Sequence, residues 1–253
     1  MTSVSGIPCW VSLTTRDMRS TEEFYGAVLG WSFRDSPLGD EYRVATEDGE
    51  PVAGLGELAV TWQLPVRWTV FFQVEDADIT TTRIAERGAT VAVGPLAVGS
   101  GRAVLAADPS GAPFGLWQGE QPRGWAVGTG HAPAWLELRT RDAFDAALFY
   151  GAVFGWAEDP RHGISYEEQS DEVIVLVDGK TVAGLRDGGI EAAPDPRVRP
   201  RWEVFFRAPD LDGAVSAAIG AGGEVVLPPQ DTEHGRAATL RDPDGALFSL
   251  LSI

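Results

Sequence analysis

The chain has 253 residues, of which 44% are hydrophobic and 23% charged, and its formal net charge is −17. This apolar fraction is enough for a buried core and excludes a wholly disordered chain, and no apolar run reaches the roughly 20 residues that cross a bilayer. An acidic surface repels phosphate backbones and anionic lipids, which argues against nucleic acid and membranes as partners.

The N-terminal segment and the cysteine content bear on where the protein works. The first ten residues carry neither a basic stretch nor an apolar stretch, so they do not resemble a secretory signal. Cys9 is the only cysteine, which leaves no intrachain disulfide and no cysteine cluster for zinc. A cytoplasmic location is the simplest expectation.

The first predicted elements are a strand, a helix and three strands. Residues 9–14 form a short strand pattern. Ser20 and Glu23 have the spacing of a capping box and predict the start of a helix, and Gly30 stands where a C-terminal cap glycine belongs. Short strands, separated by turns that contain Gly and Asp, are expected over residues 31–34, 42–46 and 52–57.

The next segment predicts the same order again. A β-rich alternating run over residues 68–74 is followed by a helical pattern over 76–87, which Gly88 closes. Three further strands are expected near residues 90–93, 101–107 and 114–117. Between the last two, Asp108-Pro109-Ser110-Gly111 fits a type I turn.

The second half of the chain repeats the first. Segments 24–31, 52–55 and 67–72 recur at 149–156, 182–185 and 201–206, and the Asp-Pro-x-Gly turn recurs at 242–245. The repeat predicts two homologous domains, over residues 1–119 and 131–253, joined by a Gly- and Pro-containing linker at 120–130. Each domain holds two units, so we expect an α+β fold made of four βαβββ units.

The motifs of these units resemble the vicinal oxygen chelate superfamily. A strand, then Asp17, then Phe24-Tyr25 before Leu29-Gly30, is similar to the opening of that superfamily, and the Asp-Pro-x-Gly turn is its second mark. The superfamily contains glyoxalase I, extradiol dioxygenases, and the fosfomycin and bleomycin resistance proteins. The resemblance covers nearly the whole chain and is strongest to tandem bacterial members described as glyoxalase-like or hydroxylase. It implies that paired units build two domains with cupped mixed sheets, each around a cleft that holds a metal in the enzymes.

The resemblance also implies where metal ligands would stand. The enzymes place a His or Gln seven residues before the Asp that precedes a helix, and the matching positions here are Trp10, Thr69, Trp135 and Glu203. Their second ligand is a Glu on the last strand of a unit, and the matching positions are Gly115 and Ser249 and places close to Gly54 and Gly184. Divalent cations need several carboxylate or imidazole ligands, which indole and glycine do not supply. We therefore expect no metal and no other cofactor.

The remaining histidines and the cysteine do not restore a metal site. None of His131, His162 and His234 stands at a ligand position of the superfamily or has a partner at helical spacing, so we interpret them as surface-loop residues. Cys9 is expected to be a small buried hydrophobe. Nucleophile and phosphate-loop motifs are absent from the sequence.

Aromatic residues replace the metal ligands, and two interpretations of them stay open. Trp10 and Trp135 either line the clefts and offer a flat apolar face to a ligand, or pack in the core. Trp68 and Trp202 are the sequence neighbours of Thr69 and Glu203, so by alternation they should face the opposite side and lie in the core. We expect Tyr42 and Tyr166 to fall in matching strands of the two halves, where each would offer a phenol to a cleft or pack in the core.

Glu203 has two interpretations as well. If it points into the second cleft, it is a semi-buried carboxylate that binds a ligand amine or acts as a general base. If the strand register differs by one residue, it is an ordinary exposed glutamate. Thr69 holds the matching position in the first half, so only the second half would then carry a base.

Three functions are therefore compatible with the sequence. The first is a metal-free binding protein for an aromatic or cationic secondary metabolite, of the resistance or sequestration type. The second is a metal-independent enzyme of secondary metabolism, a hydroxylase-like protein, cyclase or isomerase with Glu203 as its base; no metal-dependent lyase or dioxygenase is expected. The third is a non-enzymatic interaction or signalling protein. The expected partner is a small molecule, and the protein is either a monomer with two pseudo-symmetric domains or a homodimer.

Overall fold

The structure is a computed structural model that describes residues 6–156, 164–169, 172–177, 179–190, 195 and 198–252. The side chains of residues 164–169, which include Tyr166, lie outside the described part, as does the whole of His162. None of the helices in the described ranges is both long and apolar enough to cross a membrane.

Sixteen strands and four helices follow one another in the described residues as four strand–helix–three-strand units. The first unit is β1 (Pro8–Thr14), α1 (Met18–Leu29), β2 (Ser32–Asp35), β3 (Tyr42–Glu47) and β4 (Glu50–Gly56). The second is β5 (Arg67–Gln73), α2 (Ala77–Glu86), β6 (Thr90–Val98), β7 (Gly101–Ala107) and β8 (Pro113–Gln118). The third is β9 (Trp135–Arg139), α3 (Ala143–Phe154), β10 (Ile164–Gln169), β11 (Glu172–Val177) and β12 (Lys180–Arg186). The fourth is β13 (Arg201–Arg207), α4 (Leu211–Gly220), β14 (Glu224–Thr232), β15 (Gly235–Arg241) and β16 (Leu247–Ser252).

The strands form two mixed sheets of eight. The first sheet has the order β2-β3-β4-β1-β5-β8-β7-β6, and the second has the corresponding order β10-β11-β12-β9-β13-β16-β15-β14. Within each unit the first strand pairs in parallel with the last, as in β1 with β4 and β13 with β16, and the other registered pairs are antiparallel. The predicted α+β fold of four βαβββ units with mixed sheets is confirmed.

Two compact units can be distinguished, each assembled from three segments. One contains Met1–Cys9, Val70–Gln121 and Leu136–Trp202, with helices α2 and α3 packed together. The other contains Trp10–Thr69, Pro122–Trp135 and Glu203–Ile253, with helices α1 and α4 packed together. The division of the chain into domains at residues 120–130 stays a prediction.

Helix α1 begins earlier than the sequence predicted. Asp17 is its N-cap, because its extended backbone leaves the helix and its carboxylate accepts a hydrogen bond of 3.0 Å from the backbone N–H of Ser20. Ser20 therefore lies inside the first turn, and the predicted capping box of Ser20 and Glu23 is wrong. At the other end Gly30 has φ 71° and caps the helix, as predicted, since a left-handed residue is least strained as glycine.

A buried chain of side chains ties helix α1 to the last turn of the protein. Trp68 donates its indole N–H to the Tyr25 hydroxyl at 2.9 Å, and Tyr25 donates to Asp242 Oδ2 at 3.0 Å. Asp242 also accepts from the backbone N–H groups of Gly245 and Ala246, which closes the Asp-Pro-x-Gly turn. Each buried polar group in this chain has a partner, and Trp68 lies in the core as predicted.

The other compact unit repeats this chain with its own residues. Trp202 donates to the Tyr150 hydroxyl at 3.0 Å, and Tyr150 donates to Asp108 Oδ2 at 3.2 Å. Asp108 holds the turn at Ser110 and Ala112. Burial raises the pKa of Asp108 to about 6 and also raises that of Tyr150, whose hydroxyl therefore stays a donor. The tyrosine of the repeated Phe-Tyr-Gly motif and the aspartate of the repeated turn thus form one structural device.

Candidate functional site

Trp10 and Tyr42 form the central contact of the first candidate site. Strand β1 buries Cys9, Val11 and Leu13 on one face of the sheet. Trp10 and Ser12 therefore lie on the other face, where they are partly exposed. The Trp10 indole N–H donates to the Tyr42 hydroxyl at 3.0 Å. Trp10 therefore has a partly exposed ring, and its N–H is hydrogen-bonded.

Ser12 completes a small polar group beside that ring. Its hydroxyl lies 3.2 Å from the hydroxyl of Tyr42. Burial raises the pKa of Tyr42, against the lowering effect of the bonds from Ser12 and Trp10. The phenol is therefore neutral at physiological pH and is both a donor and an acceptor.

Gly54 leaves the space that Tyr42 fills. It lies on β4 opposite Ser12 of β1 and opposite Val44 of β3. A Cβ atom at Gly54 would stand 1.7 Å from the Tyr42 hydroxyl oxygen and 2.8 Å from Trp10 Nε1. The glycine is therefore required for the approach of the phenol to the tryptophan.

Trp125, from the predicted linker, packs beside the same site. Its ring centroid lies 5.7 Å from that of Trp10, with 52° between the planes, and its N–H donates to the Val52 carbonyl at 2.7 Å. Trp125 is buried whereas Trp10 is not, so Trp125 supports one side of the Trp10 ring. No sequence motif pointed to Trp125, although a tryptophan in a linker indicates a packing contact.

Glu203 is the carboxylate of the second candidate site. Strand β13 buries Trp202, Val204 and Phe206 on one face, so Glu203 faces the other, and it is still only 6% exposed. Its Oε1 accepts from the Ser249 hydroxyl at 2.5 Å and from the Thr239 hydroxyl at 3.1 Å. The register that would leave Glu203 exposed is therefore wrong.

Thr239 and Ser249 are positioned by the sheet. They are directly opposite each other on β15 and β16, and their hydroxyl oxygens lie 2.8 Å apart. No sequence motif pointed to Thr239. It lies on the strand that pairs with Ser249, and only the register reveals that.

Trp135 packs against His234, for which the sequence predicts a position in a surface loop. The rings of Trp135 and His234 have centroids 4.2 Å apart and planes at 37°. Trp135 is 6% exposed, and its Nε1 has no hydrogen-bond partner among the described residues. His234 comes from the turn between β14 and β15, and its side chain is 28% exposed.

The strand register shows that Tyr42 and Tyr166 are not equivalent, which corrects the prediction that they lie in matching strands. Tyr42 begins β3 opposite Gly56, and the first residue of the corresponding strand β11 is Glu172, opposite Arg186. Tyr166 lies on β10, which corresponds to β2. A role for Tyr166 in binding a ligand stays a prediction.

In the second half, charged residues stand at the positions that correspond to Ser12 and Tyr42 of the first. Arg186 Nε lies 2.8 Å from Glu172 Oε2 and 3.6 Å from Glu137 Oε2. Glu172 is buried, and Glu137 is opposite Gly184 as Ser12 is opposite Gly54. The two halves therefore share a fold but place different chemistry at corresponding positions.

The other predicted residues have structural surroundings. Thr69 is buried and alternates with the core residues Trp68 and Val70. Cys9 is buried, as predicted, with its thiol 3.4 Å from the Phe71 carbonyl, and burial raises its pKa. His131 is partly exposed, and its Nδ1 lies 3.1 Å from Glu47 Oε2.

Comparison with known proteins assigns the family. The family model described as "Glyoxalase-like domain" matches residues 10–117 and again residues 135–251. The chain belongs to the glyoxalase-like family. This family matches the superfamily expected from the motifs, and its two copies confirm the repeat.

The glyoxalase-like relatives of the chain include proteins named for secondary metabolism. It is 33% identical to the anthracycline biosynthesis protein DauV of Streptomyces sp. strain C5, over 98% of this chain and 94% of that protein. It is 32% identical to the anthracycline biosynthesis protein DnrV of Streptomyces peucetius, over 98% and 94% of the two chains. Among solved structures, the Mn(II)-bound glyoxalase from Novosphingobium aromaticivorans aligns with a TM-score of 0.59 at 15% identity, over 99% of this chain and 84% of that one. This last likeness shows the fold.

The family's metal ligands do not fit the matching positions of this chain. At Gly54 the hydroxyl of Tyr42 fills the place of a side chain, and Trp10 donates to that hydroxyl. At Gly115 a Cβ atom would stand 2.3 Å from the ring of Phe71. At Ser249 and Glu203 a single carboxylate is bonded to hydroxyls. Hard divalent cations need more anionic or imidazole ligands than these positions provide.

Proposed function

We propose that this glyoxalase-like protein binds a flat aromatic secondary metabolite without a resident metal, at the partly exposed ring of Trp10. The observation that carries the proposal is the exchange at the ligand positions, where an indole and a phenol stand in place of metal-binding side chains. Concave sites lined by aromatic residues with a few polar groups are typical of small-molecule pockets. A cytoplasmic location and a role in resistance or sequestration belong to the same proposal.

The chemistry of the site favours a flat ring system with polar substituents. The indole of Trp10 offers a π face, and Trp125 supports it from one side. The phenol of Tyr42 and the hydroxyl of Ser12 offer hydrogen bonds to ring substituents. The relatives DauV and DnrV are named for anthracycline biosynthesis, and anthracyclines are fused-ring aromatic compounds.

A calorimetric titration tests this proposal, with anthraquinone-2-sulfonate as the fused-ring probe. We expect Trp10→Ala to weaken binding by about tenfold or more, since a buried aromatic contact contributes on the order of 1–2 kcal/mol. Trp62→Ala is the matched control, because Trp62 is a tryptophan that is 48% exposed. Equal affinities for the wild type and Trp10→Ala would contradict the proposal.

A second function is favoured by one observation, the burial of Glu203 against two hydroxyls. A carboxylate held in this way is placed to take a proton from a carbon acid and return it, which is the base that a cyclase or isomerase needs. The donors Ser249 and Thr239 fix one carboxylate oxygen. The protein would then be a metal-independent enzyme acting on a related ligand.

Deuterium exchange distinguishes this enzyme from a binding protein. Anthrone, a fused-ring ketone with an acidic methylene group, is incubated with the protein in D₂O, and mass spectrometry follows deuterium uptake. If Glu203 is a base, Glu203→Gln lowers the protein-dependent rate at least about tenfold. Glu172→Gln, a second buried glutamate, is the control. The same rate in both variants and the wild type would rule this function out.

A further inference from the structure

Thr15 and Arg16, which join β1 to α1, bind a carboxylate from the last turn of the protein. Asp244 Oδ2 accepts from the Thr15 hydroxyl at 2.8 Å and from the backbone N–H of Arg16 at 2.7 Å. The Nε–H of Arg16 donates to Asp244 Oδ1 at 2.6 Å. Burial raises the pKa of Asp244, but the bonds from Arg16 and Thr15 outweigh it, so the pKa lies below its usual value. A threonine and an arginine at this place therefore hold a charged carboxylate.

Thr140 and Arg141 have the same place in the other compact unit. They join β9 to α3, just as the first pair joins β1 to α1. In each compact unit the tyrosine of the helix donates to the first aspartate of an Asp-Pro-x-Gly turn, so corresponding turns face corresponding helices. The x residue is Asp244 in one turn and Ser110 in the other. The second threonine–arginine pair therefore has a serine at the place from which Asp244 reaches the first pair.

The hydroxyl of Thr140 is left without an acceptor. Thr140 is 0% exposed, and its Oγ1 has no hydrogen-bond partner in the described part of the chain. Ala146 replaces Thr21, whose hydroxyl lies 2.7 Å from that of Thr15, so this second contact is lost as well. Buried polar groups are hydrogen-bonded in the great majority of cases, and an unpaired one is costly. A ligand that supplies an acceptor removes that cost.

Arg141 supplies a positive charge at the same place. Its side chain is exposed, and within the described ranges neither its guanidinium nor its backbone N–H is bonded to another residue. Exposure suits the role, because Arg16 is 59% exposed although it is paired with Asp244. The pair also precedes the N-terminus of α3, a helix of 12 residues, whose dipole favours an anion.

We propose that Thr140 and Arg141 form a binding site for the carboxylate of a small molecule, in the position that Asp244 takes in the other compact unit. One carboxylate oxygen accepts from the Thr140 hydroxyl and from the backbone N–H of Arg141, and the other accepts from the guanidinium. The short side chain of Ser110 leaves the room for this group. The site uses none of the residues around Trp10, so it does not rest on the proposed function.

The surroundings of the pair select a singly charged anion. Two carboxylates lie at the start of α3, and each is already bonded to a backbone N–H. Asp142 accepts from Asp145 at 2.8 Å, and Asp187 accepts from Ala143 at 2.6 Å. They leave the donors of Arg141 unoccupied, but their charges repel a second negative charge on the ligand. A planar carboxylate, which matches the guanidinium with two oxygens, is therefore favoured over a doubly charged phosphate.

Nuclear magnetic resonance of the full-length ¹⁵N-labelled protein tests the site, with acetate as the probe. Acetate has no ring, so its binding is separate from that of an aromatic ligand at Trp10. We expect the backbone N–H signal of Arg141 to move downfield with sodium acetate. It should stay in place with sodium chloride at the same ionic strength and with acetamide. An Arg141 signal that does not respond to acetate would overturn the inference.

Removal of the buried hydroxyl gives a second measurement. Thr140→Val keeps the shape of the side chain and should weaken acetate binding about tenfold, as the loss of one hydrogen bond to a charged group predicts. Thr90→Val is the matched control, because Thr90 is exposed at the start of β6, and it should bind acetate as the wild type does. Equal affinities in Thr140→Val and the wild type would contradict the role of Thr140.

A substitution in the turn supplies the carboxylate from the chain itself. Ser110→Asp reproduces the turn of Asp244, so the Arg141 signal should lie downfield without acetate and no longer respond to it. Ser110→Ala has no acceptor in its side chain and should respond to acetate as the wild type does. If Ser110→Asp also responded like the wild type, the donors would not be arranged as they are around Asp244, and the inference would fail.

The reverse substitution examines the pair that is already occupied. In the wild type the Arg16 N–H signal should not respond to acetate, because Asp244 holds its donors. Asp244→Ser frees them, and the signal should then respond. A response of Arg16 in this variant without a response of Arg141 in the wild type would show that only the first pair binds carboxylates, which overturns the inference. Failure of the quinone titration at Trp10 would leave all these outcomes unchanged.

Discussion

At the scale of single residues, the candidate site depends on the absence of a side chain at Gly54 as much as on the side chains of Trp10 and Tyr42. The Tyr42 hydroxyl lies where a side chain of residue 54 would be, and it receives the N–H of Trp10. Glycine at this position therefore leaves space for a phenol, close to the place where the resemblance implied a metal ligand. The sequence alone marked a place close to Gly54 as lacking a ligand, but it did not show that Tyr42 occupies this space.

Gly54→Ala tests this arrangement directly. The new methyl group would stand 1.7 Å from the Tyr42 hydroxyl oxygen, so the phenol must leave its bonds to Trp10 and Ser12. We expect the free energy of unfolding in urea to fall by about 1–3 kcal/mol, as for other overpacked positions.

Gly220→Ala is the control for that substitution. Gly220 is the last residue of α4, and a Cβ atom there would have no neighbour within 4 Å. Alanine has the higher helix propensity, so this variant should be neutral or more stable by up to about 1 kcal/mol. A Gly54→Ala variant as stable as the wild type would show that Tyr42 is not fixed in this place.

At the scale of elements, each repeated helix is joined to a repeated turn by a buried tyrosine and aspartate. Tyr25 of α1 donates to Asp242, and Tyr150 of α3 donates to Asp108. The sequence revealed both motifs as repeats, but the first pair is separated by 217 residues along the chain. No local pattern indicates which turn a helix will contact.

The Asp108 link predicts a pH dependence of stability. Burial raises its pKa in the folded protein to about 6, against roughly 3.9 in an unfolded chain, so folding takes up a proton between these values. The stabilisation is complete below about pH 4 and is lost as the pH rises through about 6, and it amounts to roughly 3 kcal/mol.

Asp108→Asn removes this titration, because the amide resembles the protonated acid. The difference in unfolding free energy, wild type minus Asp108→Asn, should fall by roughly 3 kcal/mol between pH 4 and pH 7.5 in urea titrations. Asp40→Asn, at an exposed position, should show no such change. A difference that stays constant with pH would contradict the predicted titration of Asp108.

At the scale of the whole molecule, two copies of one fold have acquired different chemistry. The sequence showed Trp10 and Trp135 as equivalent, and they do lie on corresponding strands, β1 and β9. Around them, Ser12 and Tyr42 in one half correspond to Glu137 and Glu172 in the other. The family likeness accounts for the common fold, and the differing side chains give corresponding positions of the two halves different chemistry.

The sequence by itself determined the repeat, the four βαβββ units, the family, and the side chains that stand at the metal-ligand positions. These follow from local patterns and from positions counted along the chain, because alternation and motif spacing are properties of nearby residues. It also placed Trp68 and Trp202 in the core, which alternation on their strands requires.

Only the tertiary structure decided that Tyr42 meets Trp10, that Glu203 is bonded to Ser249 and Thr239, and that His234 covers Trp135. The mistaken equivalence of Tyr42 and Tyr166 has the same origin. Each of these depends on the register between strands that are distant in sequence, and a shift of one residue turns every side chain to the other face. Register is set by the packing of the whole sheet, so it is not readable from any one strand.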